Sequence, residues 1–191
     1  MRDVDIRRKL QVDERLHFGE PDTRIIQELG LCQGIARVDI AVVNGSIHGY
    51  EIKSERDTLV RLPGQIEIYN RALDFVTVVI EPAHASRIRA IVPSWWGIWT
   101  AVEGEDGPRL KCTRTPSRNP AIIPFALAQL LWREEALEAL NHRGLANGVR
   151  SKPRQELWRR LASLPLEDLG NIVRDRLKRR GANWRPPASP M

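Results

Sequence analysis

Residues 37–74 read RVDIAVVNGSIHGYEIKSERDTLVRLPGQIEIYNRALD, and this segment has the clearest secondary-structure pattern in the chain. The apolar runs at 36–43 and 46–54 are bounded by turn residues, which predicts two strands joined at Asn44 and Gly45. Pro63 predicts a helix over 63–73, because proline is favoured in the first turn of a helix. The stretch therefore predicts a β-hairpin followed by a helix.

The flanking segments extend this pattern on both sides. Residues 3–17 predict an amphipathic helix, and 23–31 predict a strand that precedes the hairpin. Residues 75–80, FVTVVI, form a β-branched run typical of a strand covered on both faces. A helix connects 46–54 to this strand, which favours parallel pairing. The order αβββαβ predicts an α/β fold with a mixed central sheet.

The rest of the chain adds a second hairpin and helices. We predict a helix at 84–91, a hairpin formed by 95–103 and 109–114, a helix at 125–140, and helices beginning near Pro153 and Pro165. The predicted units are an αβββαβ core at 1–115, a C-terminal helical unit at 116–181 and a disordered tail at 182–191.

Composition narrows the function classes. The chain has 191 residues, 42% hydrophobic and 28% charged, which fits one globular domain with a small addition. Its formal net charge of +6 favours a polyanionic partner such as nucleic acid. Cys32 and Cys112 are far apart, which argues against a disulfide framework and for a reducing cytoplasm. No apolar run approaches the ~20 residues of a membrane span, and the charged start differs from a secretory signal, so we expect no membrane partner.

The relative position of Asp39 and Glu51 depends on the hairpin register. A two-residue turn would place Glu51 opposite Val38, with the two carboxylates on opposite faces of the sheet. A three-residue loop at 44–46 would pair Val43 with Ile47 and place Asp39 opposite Glu51. We predict the second register. One face would then carry Asp39, Ala41, Val43, Ile47, Gly49, Glu51 and Lys53, and the other Val38, Ile40, Val42, Tyr50 and Ile52.

Two carboxylates this close repel each other unless they share a cation. Carboxylates, waters and a substrate phosphate are the ligands that Mg²⁺ prefers, and Mn²⁺ is a substitute. The backbone carbonyl of Ile52 could add a ligand, and Lys53 could stabilise negative charge that develops on a phosphate. Glu28 is a candidate third acidic ligand, with Glu14 as the alternative.

Polar side chains near this hairpin complete the candidate site. Gln65 and Tyr69 are four residues apart, so they share one face of the predicted helix. Arg37, Arg56 and Arg61 are candidate nucleic-acid contacts, although Arg61 could equally form a local ion pair with an acid four residues earlier. The tryptophans at 95, 96 and 99 favour core packing over base stacking, and the four histidines show no paired metal-ligand spacing.

The order of Asp39, the pair Glu51 and Lys53, and then Gln65 and Tyr69 resembles the D, ExK, QxxxY signature of RecB-like members of the PD-(D/E)XK, or restriction-endonuclease-like, superfamily. The chain is also similar to a group of bacterial proteins with ELG, RxD, EIKS, DTLxRL and QxxxY motifs, which here begin at 28, 37, 51, 57 and 65. It departs from the superfamily pattern at Val38, where the literal signature has proline.

The resemblance implies catalytic roles for Asp39, Glu51, Lys53, Gln65 and Tyr69, and Mg²⁺-dependent cleavage of DNA. Some superfamily members are inactive and a few act on RNA. We therefore predict a cytoplasmic, Mg²⁺-dependent nuclease that hydrolyses nucleic acid, with DNA favoured. The alternatives are a catalytically inactive DNA-binding module with the same fold, or an interaction subunit whose C-terminal helices dock a protein partner or a second copy of the chain.

Overall fold

The computed structural model describes residues 3–11, 13, 22–54, 57–105 and 107–180. The predicted ligand Glu14, the predicted contact Arg56 and the predicted tail at 182–191 lie outside the described residues. The division into units at residues 115 and 116 stays a prediction.

A six-stranded mixed sheet forms the centre of the described fold. Its strands follow chain order, β1 to β6, and their bounds are Arg24–Leu31, Ala36–Val43, Ile47–Lys53, Phe75–Ile80, Gly97–Val102 and Arg109–Arg114. The β3–β4 and β4–β5 pairs are parallel, whereas the outer pairs are antiparallel. The predicted mixed sheet and its second hairpin are confirmed.

Helices cover the sheet and continue after it. Helices α1 to α7 span Asp3–Gln11, Leu62–Ala72, Ala85–Ile91, Pro124–Ala128, Arg133–His142, Arg154–Ala162 and Leu166–Arg179. Helix α2 connects β3 to β4, so the predicted αβββαβ order and the C-terminal helices are confirmed. Within the described ranges, no helix combines the length and the apolar character that crossing a membrane requires.

The two faces of the sheet bury separate apolar clusters. On one face, Ile6 and Leu10 of α1 pack in a cluster with Ile40, Tyr50 and Ile52 of the hairpin. The other face carries the larger cluster, which joins α2 to the C-terminal helices. Because α1 and α2 lie on opposite faces, side chains from both helices can contact the hairpin formed by β2 and β3.

The hairpin has the predicted register. Val43 pairs with Ile47, so Asn44, Gly45 and Ser46 form a three-residue loop. The Asn44 side chain accepts a hydrogen bond from the Ser46 backbone N–H at 3.1 Å, which holds this loop. The pairing of β2 with β3 ends at Ile40 and Tyr50, so the predicted cross-strand pair of Asp39 and Glu51 is not formed.

The predicted face of Val38 was wrong. Val38 is buried in the α2-side cluster, and a Cβ atom built on Gly49 would lie 3.0 Å from it. The alternation of faces breaks at the next residue, Asp39, which lies between the β1–β2 pairs that contain Val38 and Ile40. Across from Asp39, Glu28 has a left-handed φ of 53°, which interrupts the pleat of β1.

The single helix predicted over 125–140 was also wrong, because the structure has two helices there, α4 and α5. Two backbone carbonyls between them accept hydrogen bonds from later parts of the chain. Arg180 Nη2 donates to the Leu130 carbonyl at 2.6 Å, and Trp158 Nε1 donates to the Leu131 carbonyl at 3.0 Å. These tertiary bonds satisfy carbonyls at a break that apolar periodicity does not reveal.

Aromatic side chains are mainly structural, as predicted. Trp96 is fully buried and Trp99 is 6% exposed, so both belong to the core rather than to a base-stacking surface. The His48 ring bonds the Thr77 hydroxyl and stacks on Tyr50. Burial lowers the pKa of His48 to about 3, so the ring is neutral near pH 7.

Gly49 is a position where the hairpin tolerates no side chain. A Cβ atom there would lie 2.6 Å from Leu73 Cδ1 and 3.0 Å from Val38 Cγ2, both buried. We expect Gly49→Ala to lower the free energy of unfolding by about 1–3 kcal/mol through overpacking. Gly45→Ala is the matched control, because nothing lies within 4 Å of its Cβ position. Urea denaturation would contradict this account if the two variants lost equal stability.

Candidate active site at the ends of strands β2 and β3

Glu51 on β3 is the centre of the candidate site. Its side chain is almost fully buried, and both of its carboxylate oxygens are engaged. Oε1 accepts hydrogen bonds from Lys53 Nζ and from Gln65 Nε2, each at 2.6 Å. Oε2 accepts a hydrogen bond from the Tyr69 hydroxyl at 2.6 Å. The structure therefore brings these four predicted site residues into one cluster.

Helix α2 places the amide and the phenol as their spacing predicted. Gln65 and Tyr69 lie on one face of the helix, and Gln65 Nε2 also donates to the Tyr69 oxygen at 3.2 Å. The Tyr69 hydroxyl lies 2.6 Å from the Arg37 carbonyl as well as from Glu51. With a single proton, this hydroxyl can donate to only one of the two at a time.

The environment of Tyr69 keeps it neutral. Burial raises the pKa of the Tyr69 phenol far above its usual value, and the negative charges of Glu51 and Asp39 raise it further. A phenol held in this state acts as a hydrogen-bond donor and not as a base. Its role in any chemistry is therefore to position Glu51 or a bound anion.

One acceptor beside Glu51 has no partner. Gln65 Oε1 is buried and makes no hydrogen bond within the described part of the chain. A buried polar atom left in this state costs about 1–3 kcal/mol, so such atoms often mark a position where water, an ion or a ligand binds. The unpartnered oxygen belongs to the same amide that donates to Glu51.

The prediction that Asp39 shares a face with Glu51 was wrong, because Asp39 is held from the α1 side of the sheet, whereas Glu51 is held from the α2 side. Its Oδ2 accepts a hydrogen bond from the Ile52 backbone N–H at 2.7 Å, and its Oδ1 accepts one from Arg7 Nη2 at 2.8 Å. Arg7 Nη1 also lies 2.7 Å from Glu28 Oε1. Helix α1 thus provides a cation that joins Glu28 to Asp39.

Sequence reasoning missed Arg7. The residue lies between Ile6 and Leu10, which are buried against the sheet, and its side chain is only 18% exposed. An arginine three residues before a buried leucine on an amphipathic helix lies close to the packed face. That spacing was the available signal, but it does not say which carboxylate the arginine meets.

The predicted arginine contacts are only loosely tied to this site. The Arg37 side chain is exposed, while its carbonyl faces Tyr69. Arg61 is exposed at the end of a short 3-10 helix, Leu59–Arg61. Asp57, its suggested ion-pair partner, accepts hydrogen bonds from the Ser54 N–H and hydroxyl, each at 2.8 Å. These contacts tie Asp57 to the loop after β3.

The residues at the site have the chemistry of a hard-cation site, although in this arrangement they neutralise each other. Among the residues that the structure describes, no group of three or more His, Cys, Asp or Glu side chains is arranged to hold a metal ion. Every carboxylate oxygen of Asp39 and Glu51 accepts a hydrogen bond from the protein. Carboxylates and the unpartnered Gln65 oxygen are the donors that Mg²⁺ takes. A divalent cation bound by Asp39 would have to compete with Arg7.

Comparison with known proteins places the chain in a family. A family model described as bacteriophage P4 protein cII matches residues 7–184. The chain belongs to the bacteriophage P4 protein cII family. Protein cII of Enterobacteria phage P4 is 30% identical over 124 residues, which cover 65% of this chain and 47% of that protein. The chain thus spans about half the length of the curated relative that it matches.

A solved structure also matches part of the fold. It is a protein of unknown function from Silicibacter pomeroyi, 16% identical to this chain, with a TM-score of 0.42. The match covers 72% of this chain and 88% of that protein.

The contact between Arg7 and Asp39 predicts the direction in which removal of Arg7 changes the affinity for a metal ion. Because Arg7 places a positive charge on Asp39, we expect Arg7→Ala to tighten Mn²⁺ binding about tenfold. Arg8→Ala is the matched control, since Arg8 is exposed on the same helix and carries the same charge. Titration calorimetry or the electron paramagnetic resonance of free Mn²⁺ measures both. Equal or weaker binding by Arg7→Ala relative to Arg8→Ala would contradict this competition.

Proposed function

We propose that the protein is a Mg²⁺-dependent nuclease that hydrolyses phosphodiester bonds, with DNA as the substrate. The observation that carries this proposal is the buried Glu51–Lys53 pair, which Gln65 and Tyr69 hold through hydrogen bonds to Glu51. Between the two lies Ile52, whose backbone N–H binds the Asp39 carboxylate. The arrangement fits the D, ExK, QxxxY resemblance residue by residue. The name of the P4 relative neither adds to this activity nor opposes it.

Each residue has a role that its position supports. Asp39, Glu51 and the Ile52 carbonyl would hold the ion, with Glu28 as a further acidic ligand beyond Arg7. When bound, Mg²⁺ supplies a Lewis acid and a water of lowered pKa. The Lys53 ammonium, 7% exposed as a side chain, would stabilise charge on the phosphate oxygens, because water screens little at such depth.

Gln65 and Tyr69 would act as positioning residues. Both donate to Glu51, so they fix the direction of its carboxylate without adding charge. The unpartnered Gln65 oxygen could accept a hydrogen bond from a water molecule that attacks the phosphate. Their presence supports a site that is organised before substrate binds.

The partner and compartment follow from charge and cysteine chemistry. The formal net charge of +6 favours a polyanion, and nucleic acid is the polyanion that a phosphodiesterase site would cut. Cys32 and Cys112 are free thiols, which suits the reducing cytoplasm that we propose.

The second candidate function is a nuclease-fold module that binds nucleic acid or a protein partner without cutting. One observation favours it: Arg7 and Lys53 already pair with the two carboxylates on which catalysis would depend. Inactive members of such folds could keep a neutralised site of this kind for stability. The two functions differ in whether the carboxylates accept a cation from solution.

Cleavage assays separate the two functions. We expect purified protein to cut plasmid or linear DNA in Mg²⁺ or Mn²⁺, and we expect Lys53→Ala and Asp39→Asn each to lower the rate by about 10²-fold or more. Lys111→Ala is the control, because it removes an exposed lysine on β6. Circular dichroism checks that each variant is folded.

The nuclease proposal fails if cleavage is absent with both ions, or if it survives both substitutions in folded protein. An RNA substrate run in parallel tests the choice of DNA. Cleavage of RNA alone would keep the chemistry and overturn the substrate.

A further inference from the structure

Most of the chain's net positive charge lies in one short segment. Residues 143–160 contain six basic residues and one acidic residue, so they carry +5 of the formal net charge of +6. All six are exposed, and we call them the basic surface: Arg143, Arg150, Lys152, Arg154, Arg159 and Arg160. The one acid, Glu156, is contacted by Arg159.

The backbone that presents this surface is anchored to the core. Val149 and Leu157 are buried, and Arg133 Nη2 donates to the Arg150 carbonyl at 2.8 Å. Trp158, 2% exposed, donates to the Leu131 carbonyl. Side chains on an anchored backbone lose less entropy on binding than those on a loose tail.

Arg154 links the basic surface to the β1–β2 turn, which leads into the strand that carries Asp39. Arg154 Nη2 donates to Gln33 Oε1 at 2.7 Å, which joins the start of α6 to that turn. Strand β2 leaves the turn at Ala36, and Asp39 lies three residues further, or about 10 Å along a strand. Arg37 is exposed between them.

The chemistry of the surface favours a phosphate backbone over unpaired bases. The described residues of 143–160 expose no aromatic side chain, since Trp158 is buried. Binding of single strands relies on aromatic stacking, whereas duplex binding relies mainly on Arg and Lys contacts to phosphates.

We infer that the basic surface binds the backbone of duplex DNA and holds it at the bond that Asp39 and Glu51 address. This inference rests on the proposed nuclease function for its meaning, because it names the partner of that site. It also gives a DNA-binding role to residues that lie far in sequence from the D, ExK, QxxxY motifs. The surface would hold one strand while Arg37 contacts the phosphates between the surface and the site.

Binding is measured without cleavage, using fluorescence anisotropy of a labelled duplex of about 20 base pairs in EDTA. The test variant is Arg150→Gln with Lys152→Gln and Arg154→Gln. The matched control is Arg87→Gln with Arg89→Gln and Lys111→Gln, three exposed basic residues on α3 and β6. Both variants lose the same charge, so only location differs.

We expect the salt dependence to separate the variants. Loss of three phosphate contacts lowers the steepness of log affinity against log salt concentration by about 2.7. Between about 50 and 200 mM salt, the wild-type affinity should therefore fall about 40-fold more than the affinity of the test variant. The control should keep the wild-type slope. Single-stranded DNA, RNA and phosphatidylserine vesicles are run in parallel.

Three results would overturn the inference: no duplex binding by wild type at low salt, equal effects of the two triple variants, or preferential binding of vesicles or single strands. The outcome is independent of catalysis. If the basic surface is needed for duplex binding but the protein does not cleave DNA in Mg²⁺, the inference stands and the nuclease proposal fails. If the protein cleaves DNA but the test variant binds duplex as the wild type does, the nuclease proposal stands and the inference fails.

Discussion

The buried carboxylate of Glu51 sets the conditions that the rest of the site meets. A charge removed from water is stable only when paired and fully hydrogen-bonded, and both Glu51 oxygens meet this need through Lys53, Gln65 and Tyr69. The pairing requires Lys53 to follow Glu51 by two residues on one strand. It also requires α2 to begin where Gln65 and Tyr69 face β3. The hairpin register, the start of α2 and its rotation are therefore coupled through one side chain.

A second constraint acts from the opposite face. Glu28, Asp39 and Glu51 are three acids on the neighbouring strands β1, β2 and β3, and Arg7 and Lys53 provide two cations that pair with them. Glu28 takes a left-handed φ of 53° where it faces Asp39, and non-glycine residues in this region often mark functional positions. At this position the side chains of β1 and β2 stop alternating regularly between the two faces. Asp39 contacts Arg7 on α1, whereas Glu51 contacts Tyr69 on α2. The site thus lies between the two helical layers.

The sequence predicted the elements whose pattern is local. The β-branched run 75–80 became β4 with identical bounds, and the three-residue loop at 44–46 set the predicted pairing of Val43 with Ile47. What failed depends on distant residues. Val38 lies on the other face, beside the position where Glu28 on the neighbouring strand takes a left-handed φ. The helix expected over 125–140 is interrupted where Arg180 and Trp158 donate to the carbonyls of Leu130 and Leu131. Periodicity does not carry such information.

The candidate site likewise has residues that local spacing predicted and one residue, Arg7, that it did not. The spacing of Glu51, Lys53, Gln65 and Tyr69 was enough to predict their cluster, because strand and helix periods fix which side chains share a face. Arg7 could not be assigned, because its partner depends on how α1 lies across the sheet. The same packing decides whether Asp39 is available to a metal ion, which is the point on which nuclease and inactive module differ.

Crystals grown with Mn²⁺ and measured at a wavelength where manganese scatters anomalously would show whether Asp39 and Glu51 share a metal ion. We expect an anomalous peak between the Asp39 and Glu51 carboxylates, within about 2.5 Å of an oxygen of each, with the Arg7 guanidinium displaced from Asp39. A structure at saturating Mn²⁺ with no peak there, and with Arg7 still paired to Asp39, would contradict it.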